Sequence, residues 1–197
     1  MSGILALDLG SETGWAALTT GNPRPVWGRV SFKKVVADSH NPDGAVMLAL
    51  RDWLTNMIRR YEPNYLGAER PWIPQAKPIR VSAGGKLTAA RGAIALNPQT
   101  ISRLHGLYNV AAMVAAEHQV GWKEAGTWAV EKHFLGRSGH RSDEKKRLTK
   151  AMCETLGWKP VTLDESDSLA LLSWMSAGLL DHGTIPGPLF ASREMPS

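Results

Sequence analysis

Four carboxylates stand where a chain rarely spends charge. Asp8 ends the apolar run ILALD, Glu69 ends the apolar run YLGAE, and Asp164 and Asp167 open the run LDESDSLALLSW. Asp is disfavoured in strands, and a lone buried charge is costly unless something pairs with it. Three-residue spacing puts Asp164 and Asp167 on one face of a helix. A strand acid, a neighbouring strand-end acid and a helix pair can converge on one point. Such a cluster repels itself unless cations neutralise it, and oxygen donors suit hard ions, Mg²⁺ or Mn²⁺. Two such ions about 4 Å apart can activate a water and stabilise the leaving oxygen of a phosphodiester. Each acid also has an ordinary reading. Asp8 could be a turn residue before Gly10 and Glu69 a surface charge; Asp164 could be an N-cap and Asp167 a partner of the helix dipole. Together they favour the metal reading, because each sits where charge needs a reason.

The basic residues are concentrated. Between Arg70 and Pro98 stand Arg70, Lys77, Arg80, Lys86 and Arg91 with no acid among them. Between Lys132 and Lys150 stand Lys132, Arg137, Arg141, Lys145, Lys146, Arg147 and Lys150 against Asp143 and Glu144. The formal net charge is +5, so the rest of the chain is net negative. That distribution suggests a footprint for an acidic partner, nucleic acid first. Trp72 lies in the first basic segment between Pro71 and Pro74. Core packing is the ordinary role of a tryptophan, and Trp15, Trp53 and Trp174 fall in periodic segments that fit it. The aperiodic surroundings of Trp72 favour a rigid wedge or stacking platform.

These residues need elements to hold them. Ile4 to Leu9, Trp15 to Thr19 and Val26 to Val36 read as three antiparallel strands joined by turns at Gly10 to Gly14 and TGNPRP. Val46, Leu50, Trp53, Leu54, Met57 and Ile58 recur at helical spacing, and Pro63 stops that helix. Tyr65 to Glu69 is a short strand, followed by a long aperiodic segment of the kind that is usually functional. Thr100 to Gln119 is helical and VGWKEA is a fifth strand. Thr127 can cap a short helix carrying Lys132, and Ser142 can cap another running to Gly157. The last helix spans Asp164 to about Leu180.

The chain has 197 residues, enough for one ordinary domain. We divide it into a domain over 1–183, with a basic loop at 70–98, and a tail over 184–197. Cys153 is the sole cysteine, so no internal disulfide forms and a reducing cytosol fits best. It reads as a small buried hydrophobe. The N-terminus does not read as a signal peptide, and no apolar run is long enough to span a membrane. No Cys or His spacing suggests zinc.

With these motifs in order, the chain resembles RuvC-type Holliday junction resolvases of the ribonuclease H-like superfamily. DLGSETGWA resembles the family's opening, YLGAERPW its second acid with an aromatic three positions on, SDEKKRLTKAM its basic helix start and DESDSLALL its closing acidic pair. The resemblance runs from Ile4 to about Leu180. It implies an α/β fold with a central mixed five-stranded sheet, three antiparallel strands then parallel ones, flanked by helices. It implies a site of Asp8, Glu69, Asp164 and Asp167 holding two Mg²⁺ ions, with Mn²⁺ substituting. It implies a catalytic or phosphate-contacting lysine at Lys145 or Lys132, and entry of Trp72 into a junction centre. Paired nicks leaving 5′-phosphates, a homodimer, a branched-DNA substrate and the cytosol of a bacterium or a phage host are further implications. We place the dimer face on Thr100 to Gln119, where Ala111, Ala112, Ala115 and Ala116 allow close approach. Leu9 replaces the family's usual proline, the first turn is one residue short, and the 70–98 segment is longer than the family's loop. Small phage-encoded members vary in this way.

Three rivals differ in kind. An actin-like ATPase or sugar kinase also opens with Asp-x-Gly-Ser but needs a second phosphate-binding Asp-x-Gly strand, which is missing. An exonuclease of the superfamily carries Asp-x-Glu on the first strand, where this chain has Gly10. A non-catalytic branched-DNA-binding module would share the basic segments and lack metal-dependent nicking.

Overall fold

The first strand is apolar on every residue before Asp8, which requires cover on both faces. The computed structural model, which describes residues 3–19, 21–22, 24–71 and 98–179, supplies it. Strands β1 (Ile4–Asp8), β2 (Glu12–Leu18), β3 (Val26–Ser31), β4 (Tyr65–Glu69) and β5 (Gly121–Ala125) form one sheet in the order β3-β2-β1-β4-β5. β1 pairs antiparallel with β2 and parallel with β4; β2–β3 is antiparallel and β4–β5 parallel. The helices are α1 (Lys33–Ala37), α2 (Pro42–Tyr61), α3 (Pro98–Glu117), α4 (Thr127–Leu135), α5 (Ser142–Thr155) and α6 (Leu163–Leu179). This is the α/β architecture that the resemblance implies.

Alternation along β1 sorts the two cores. Ile4 and Ala6 pack with α4, α5 and α6 residues such as Val130, Phe134, Cys153 and Leu172. Leu5 and Leu7 pack with Leu54 of α2 and with Ala111, Val114 and Ala115 of α3. Asp8 shares the parity of Ile4 and Ala6 and therefore lies on the α6 face. Glu69 shares the parity of Tyr65, which packs on that same face. α6 is buried nearly all round, and its buried serines turn inward: Ser166, Ser168 and Ser176 donate to the carbonyls of Thr162, Glu165 and Ser173. Trp15 and Trp53 pack beside one core and Trp174 beside the other.

Several local expectations change. The third strand stops at Ser31 rather than Val36, and a helical turn follows. Phe32 and Val36 lie four apart and pack together with Val46 and Leu50 of α2, which only a helix permits. β2 begins at Glu12 rather than Trp15, since Glu12 and Gly14 already pair with Ser31 and Arg29. Neither Thr127 nor Ser142 caps its helix; Gly126 and Arg141 occupy the cap positions without side-chain bonds. Ala111 and Ala115 of α3 are fully buried within the chain's own core. Their small size therefore serves internal packing, not a dimer face, although Ala116 and Met113 remain exposed. Among the described residues no helix is long and apolar enough to cross a membrane. The tail at 184–197 and the loop from Trp72 to Asn97 lie outside the described residues.

Candidate active site

The four acids reach one place because three elements end there. Asp8 and Glu69 close the neighbouring parallel strands β1 and β4, and the first turn of α6 brings Asp164 and Asp167. Gly14 is what admits the helix. It pairs with Asp8 across β1 and β2, and a Cβ there would lie 2.0 Å from the Asp164 carbonyl oxygen. Thr13 secures the preceding turn: its hydroxyl donates to the Gly10 carbonyl (2.9 Å) and accepts from the Gly10 amide (3.2 Å). The Thr-Gly pair thus acts as a pin and a gap beneath the helix.

α6 has its own cap. Thr162 Oγ1 accepts from the Glu165 amide (3.3 Å), and Glu165 Oε2 accepts from the amides of Thr162 (3.2 Å) and Val161 (2.6 Å). This is a capping box. It removes the N-cap reading of Asp164 and leaves both Asp residues free of helix-end duty.

The electrostatics are those of a crowded acidic site. Burial pushes Asp8 well above the ordinary carboxylate range, and Asp167, Glu69 and Asp164 push it further, while Lys145 opposes them. Asp167 is pushed up to about 6, first by burial, with Lys145 pulling down and Glu69 pushing up. Asp167 Oδ1 is buried without a hydrogen-bond partner. All four acids are half-buried. Glu69 is held on two sides: Thr127 Oγ1 donates to Oε2 at 2.8 Å, and Lys145 Nζ stands 3.8 Å from Oε1. Thr127 spends its hydroxyl here rather than on its own helix.

An all-oxygen donor set with an orphaned buried oxygen fits a hard divalent cation. Among the described residues no three acidic, histidine or cysteine side chains already form a cation cage. Lys145 occupies the neighbourhood of Glu69 instead.

The basic residues divide into two kinds. Lys145 is inside the site. Lys132 on α4 and Arg137 and Arg141 on the α4–α5 loop are exposed, and half-buried Lys146 lines a cavity of about 410 Å³ with Asp143, Arg147, Lys150 and Leu163. Arg70 is tied to Glu124 at 2.6 Å. Trp72, Lys77, Arg80, Lys86 and Arg91 lie outside the described residues.

Sequence reasoning missed one construction here. Glu131 on α4 accepts from the His140 amide (2.9 Å) and faces His140 Nδ1 (2.6 Å), both side chains being only 4% exposed. Arg137 Nε donates to His140 Nε2 at 2.9 Å, so the ring proton belongs on Nδ1. The pair pins the α4–α5 loop, which turns through Gly136 and Gly139 at positive φ. Cys153 is buried as expected, and burial pushes its thiol up to about 12.

Known structures share this fold. The chain superposes on Thermus thermophilus RuvC in complex with a Holliday junction substrate with a TM-score of 0.58 at 13% identity, covering 87% of this chain and 90% of that one. A second Thermus thermophilus RuvC structure gives 0.54 at 12% identity, covering 89% and 94%. A yeast mitochondrial Holliday junction resolvase gives 0.54 at 12% identity, covering 87% and 76%. The sequence matches no protein-family model and no curated protein. At these identities the likeness establishes the RuvC-type fold.

Proposed function

We propose that this chain is a metal-dependent endonuclease that cuts four-way or branched DNA junctions by paired nicks. The observation that carries the reading is the acidic cluster itself. Asp8, Glu69, Asp164 and Asp167 come from three elements into one neighbourhood, where the other three push Asp8 up, and a buried Asp167 oxygen has no partner. The RuvC-type fold, shared with proteins named for junction resolution, supplies the substrate class.

Asp8, Glu69, Asp164 and Asp167 would hold Mg²⁺, or Mn²⁺ in its place, two ions per site. When bound, such a pair supplies a water of lowered pKa and a Lewis acid for the leaving 3′-oxygen of a phosphodiester. The chain's own groups do the rest. Thr127 fixes one oxygen of Glu69, so the other, with Lys145 beside it, would be the one to meet a metal ion. Lys145, near Glu69, offers a cation to the scissile phosphate and limits the repulsion among the acids. Lys132, Arg137, Arg141 and Lys146 take the DNA backbone on the rim, with Lys77, Arg80, Lys86, Arg91 and Arg70 on the longer loop. Trp72 is the proposed wedge at the junction centre. Two opposed nicks with 5′-phosphates need two sites, which a homodimer provides. A cytosolic place fits a lone cysteine and a DNA substrate.

The test is a synthetic four-way junction incubated with purified protein and Mg²⁺, with chelator and Asp8→Asn as controls. Paired nicks that vanish in both controls are expected. Junction binding without nicking would make the chain a binding module, and neither would end the reading.

A further inference from the structure

α4 carries an exposed feature that the acidic site does not explain. Trp128 is 74% exposed, whereas Trp15, Trp27, Trp53, Trp122, Trp158 and Trp174 are buried or half-buried. Water is a poor place for an indole, and a lone exposed apolar residue is not by itself a site. Its position makes it more. Trp128 follows Thr127, whose hydroxyl holds Glu69, and consecutive Cα atoms are about 3.8 Å apart. Its backbone therefore stands one residue from the contact to Glu69, within reach of a large exposed ring. Lys132 lies one turn on, exposed on the same side of the helix and without an ion pair among the described residues. The start of α4 is uncovered: a Cβ at Gly126 would meet nothing within 4 Å.

Resting on the nuclease reading, we infer that Trp128 is a stacking platform for an unpaired base beside the scissile phosphate, with Lys132 contacting the adjoining backbone. Chemistry selects this occupant. An aromatic face next to a lysine, at the edge of a site for phosphate chemistry, matches a nucleotide with its base turned out of the helix. An apolar partner would leave Lys132 without matching charge. Trp128 is a substrate-binding residue distinct from Trp72: it grips the strand at the point of cutting, not at the junction centre.

The experiment compares wild type, Trp128→Ala, Trp128→Phe and Lys132→Ala as full chains. Affinity is measured for a junction with unpaired nucleotides and for a blunt duplex, with Ca²⁺ replacing Mg²⁺. Trp128→Ala should weaken junction binding roughly tenfold and leave duplex binding unchanged. Trp128→Phe, which keeps a ring, should recover most of the loss. Lys132→Ala should reduce the slope of log affinity against log salt by about one on both DNAs. Junction binding should quench tryptophan fluorescence less in Trp128→Phe than in wild type. Light scattering should give the same mass for all four proteins. An unchanged junction affinity in Trp128→Ala overturns the inference, as does an equal loss on duplex. A changed mass also overturns it, by placing Trp128 in a protein contact. Wild-type protein that binds neither DNA sinks both this inference and the nuclease reading.

Discussion

Two groups of shielded carboxylates in this protein are treated in opposite ways. Glu131 is nearly sealed from water, yet hydrogen bonds from the backbone and ring of His140 offset its burial and hold its pKa below the ordinary value. Asp8 and Asp167 are also shielded, but both are pushed up, and one Asp167 oxygen has nothing to bond. The contrast recurs within one helix turn, where Glu165 is fully used by the capping box and its neighbours Asp164 and Asp167 are not. The chain can satisfy an acid when stability alone is at stake. Where it leaves a buried oxygen of Asp167 unsatisfied beside other acids, the partner we propose is an external cation.

The largest break in that contrast is functional. Asp8→Asn removes a proposed ligand from the acidic cluster, so nicking should fall below detection while junction binding persists. Nicking at the wild-type rate in Mg²⁺ would remove Asp8 from the site. Gly14→Ala should come next. The new methyl would collide with the Asp164 backbone, and backbone has no rotamer in which to retreat. We expect a loss of about 3 kcal/mol in urea unfolding and at least a tenfold slower cut, because α6 cannot seat its acids. A variant as stable and active as wild type would show that the helix has room to shift.

A sharper comparison uses two neutralising changes of opposite sign. Glu131→Gln takes a charged acceptor from His140 and should destabilise by about 2 kcal/mol. Asp167→Asn relieves a crowded acid and should stabilise the metal-free protein by about 1–2 kcal/mol. Urea melts in chelator measure both. Two losses of similar size would mean that Asp167 is satisfied in a way that the orphaned oxygen does not suggest.

Much of this arrangement was legible. Asp8 and Glu69 could be placed because β1 and β4 are short apolar runs whose charge falls at the last residue. The α6 pair could be placed because its helical apolar run starts there. What was not legible depended on competition for the same side chain. Thr127 looked like a cap, but Glu69 takes its hydroxyl, and nothing local announces a partner 58 positions away. VSFKKVVA fits either a strand or a helical turn over so few residues, and only the α2 surface decides between them. The Thr162–Glu165 box was written in the sequence as Thr-x-x-Glu, and the adjacent Asp residues drew the cap assignment away from it. Glu131 and His140 meet only because Gly136 and Gly139 take left-handed conformations, which spacing does not reveal.

The smallest effect is the pH dependence of metal-free stability. Asp167 has an ordinary value of 3.8 and stands at about 6 when folded. Between those values the folded chain keeps a proton that the unfolded chain has released. Its contribution is therefore intact at low pH and lost as pH rises through about 6, and raised Asp8 acts in the same sense. Glu131 runs the other way: its folded value lies below 4.5, so its stabilisation is present above that value and lost only as pH falls further. His133 is held below 6.5 by burial, so its burial is least costly at higher pH, and it opposes Asp167 over part of the same range. The quantity to read is thus the difference between wild type and Asp167→Asn, in which His133 and Glu131 cancel. In chelator, from pH 5 to 7.5, wild type should lose about 1–2 kcal/mol relative to the variant. Saturating Mg²⁺ should remove that loss, since an ion held by the ionised acids binds the folded state alone and favours deprotonation. Parallel curves in chelator would show that Asp167 is not protonated in the folded protein near neutrality. The contrast with Glu131 would then rest on hydrogen bonding alone.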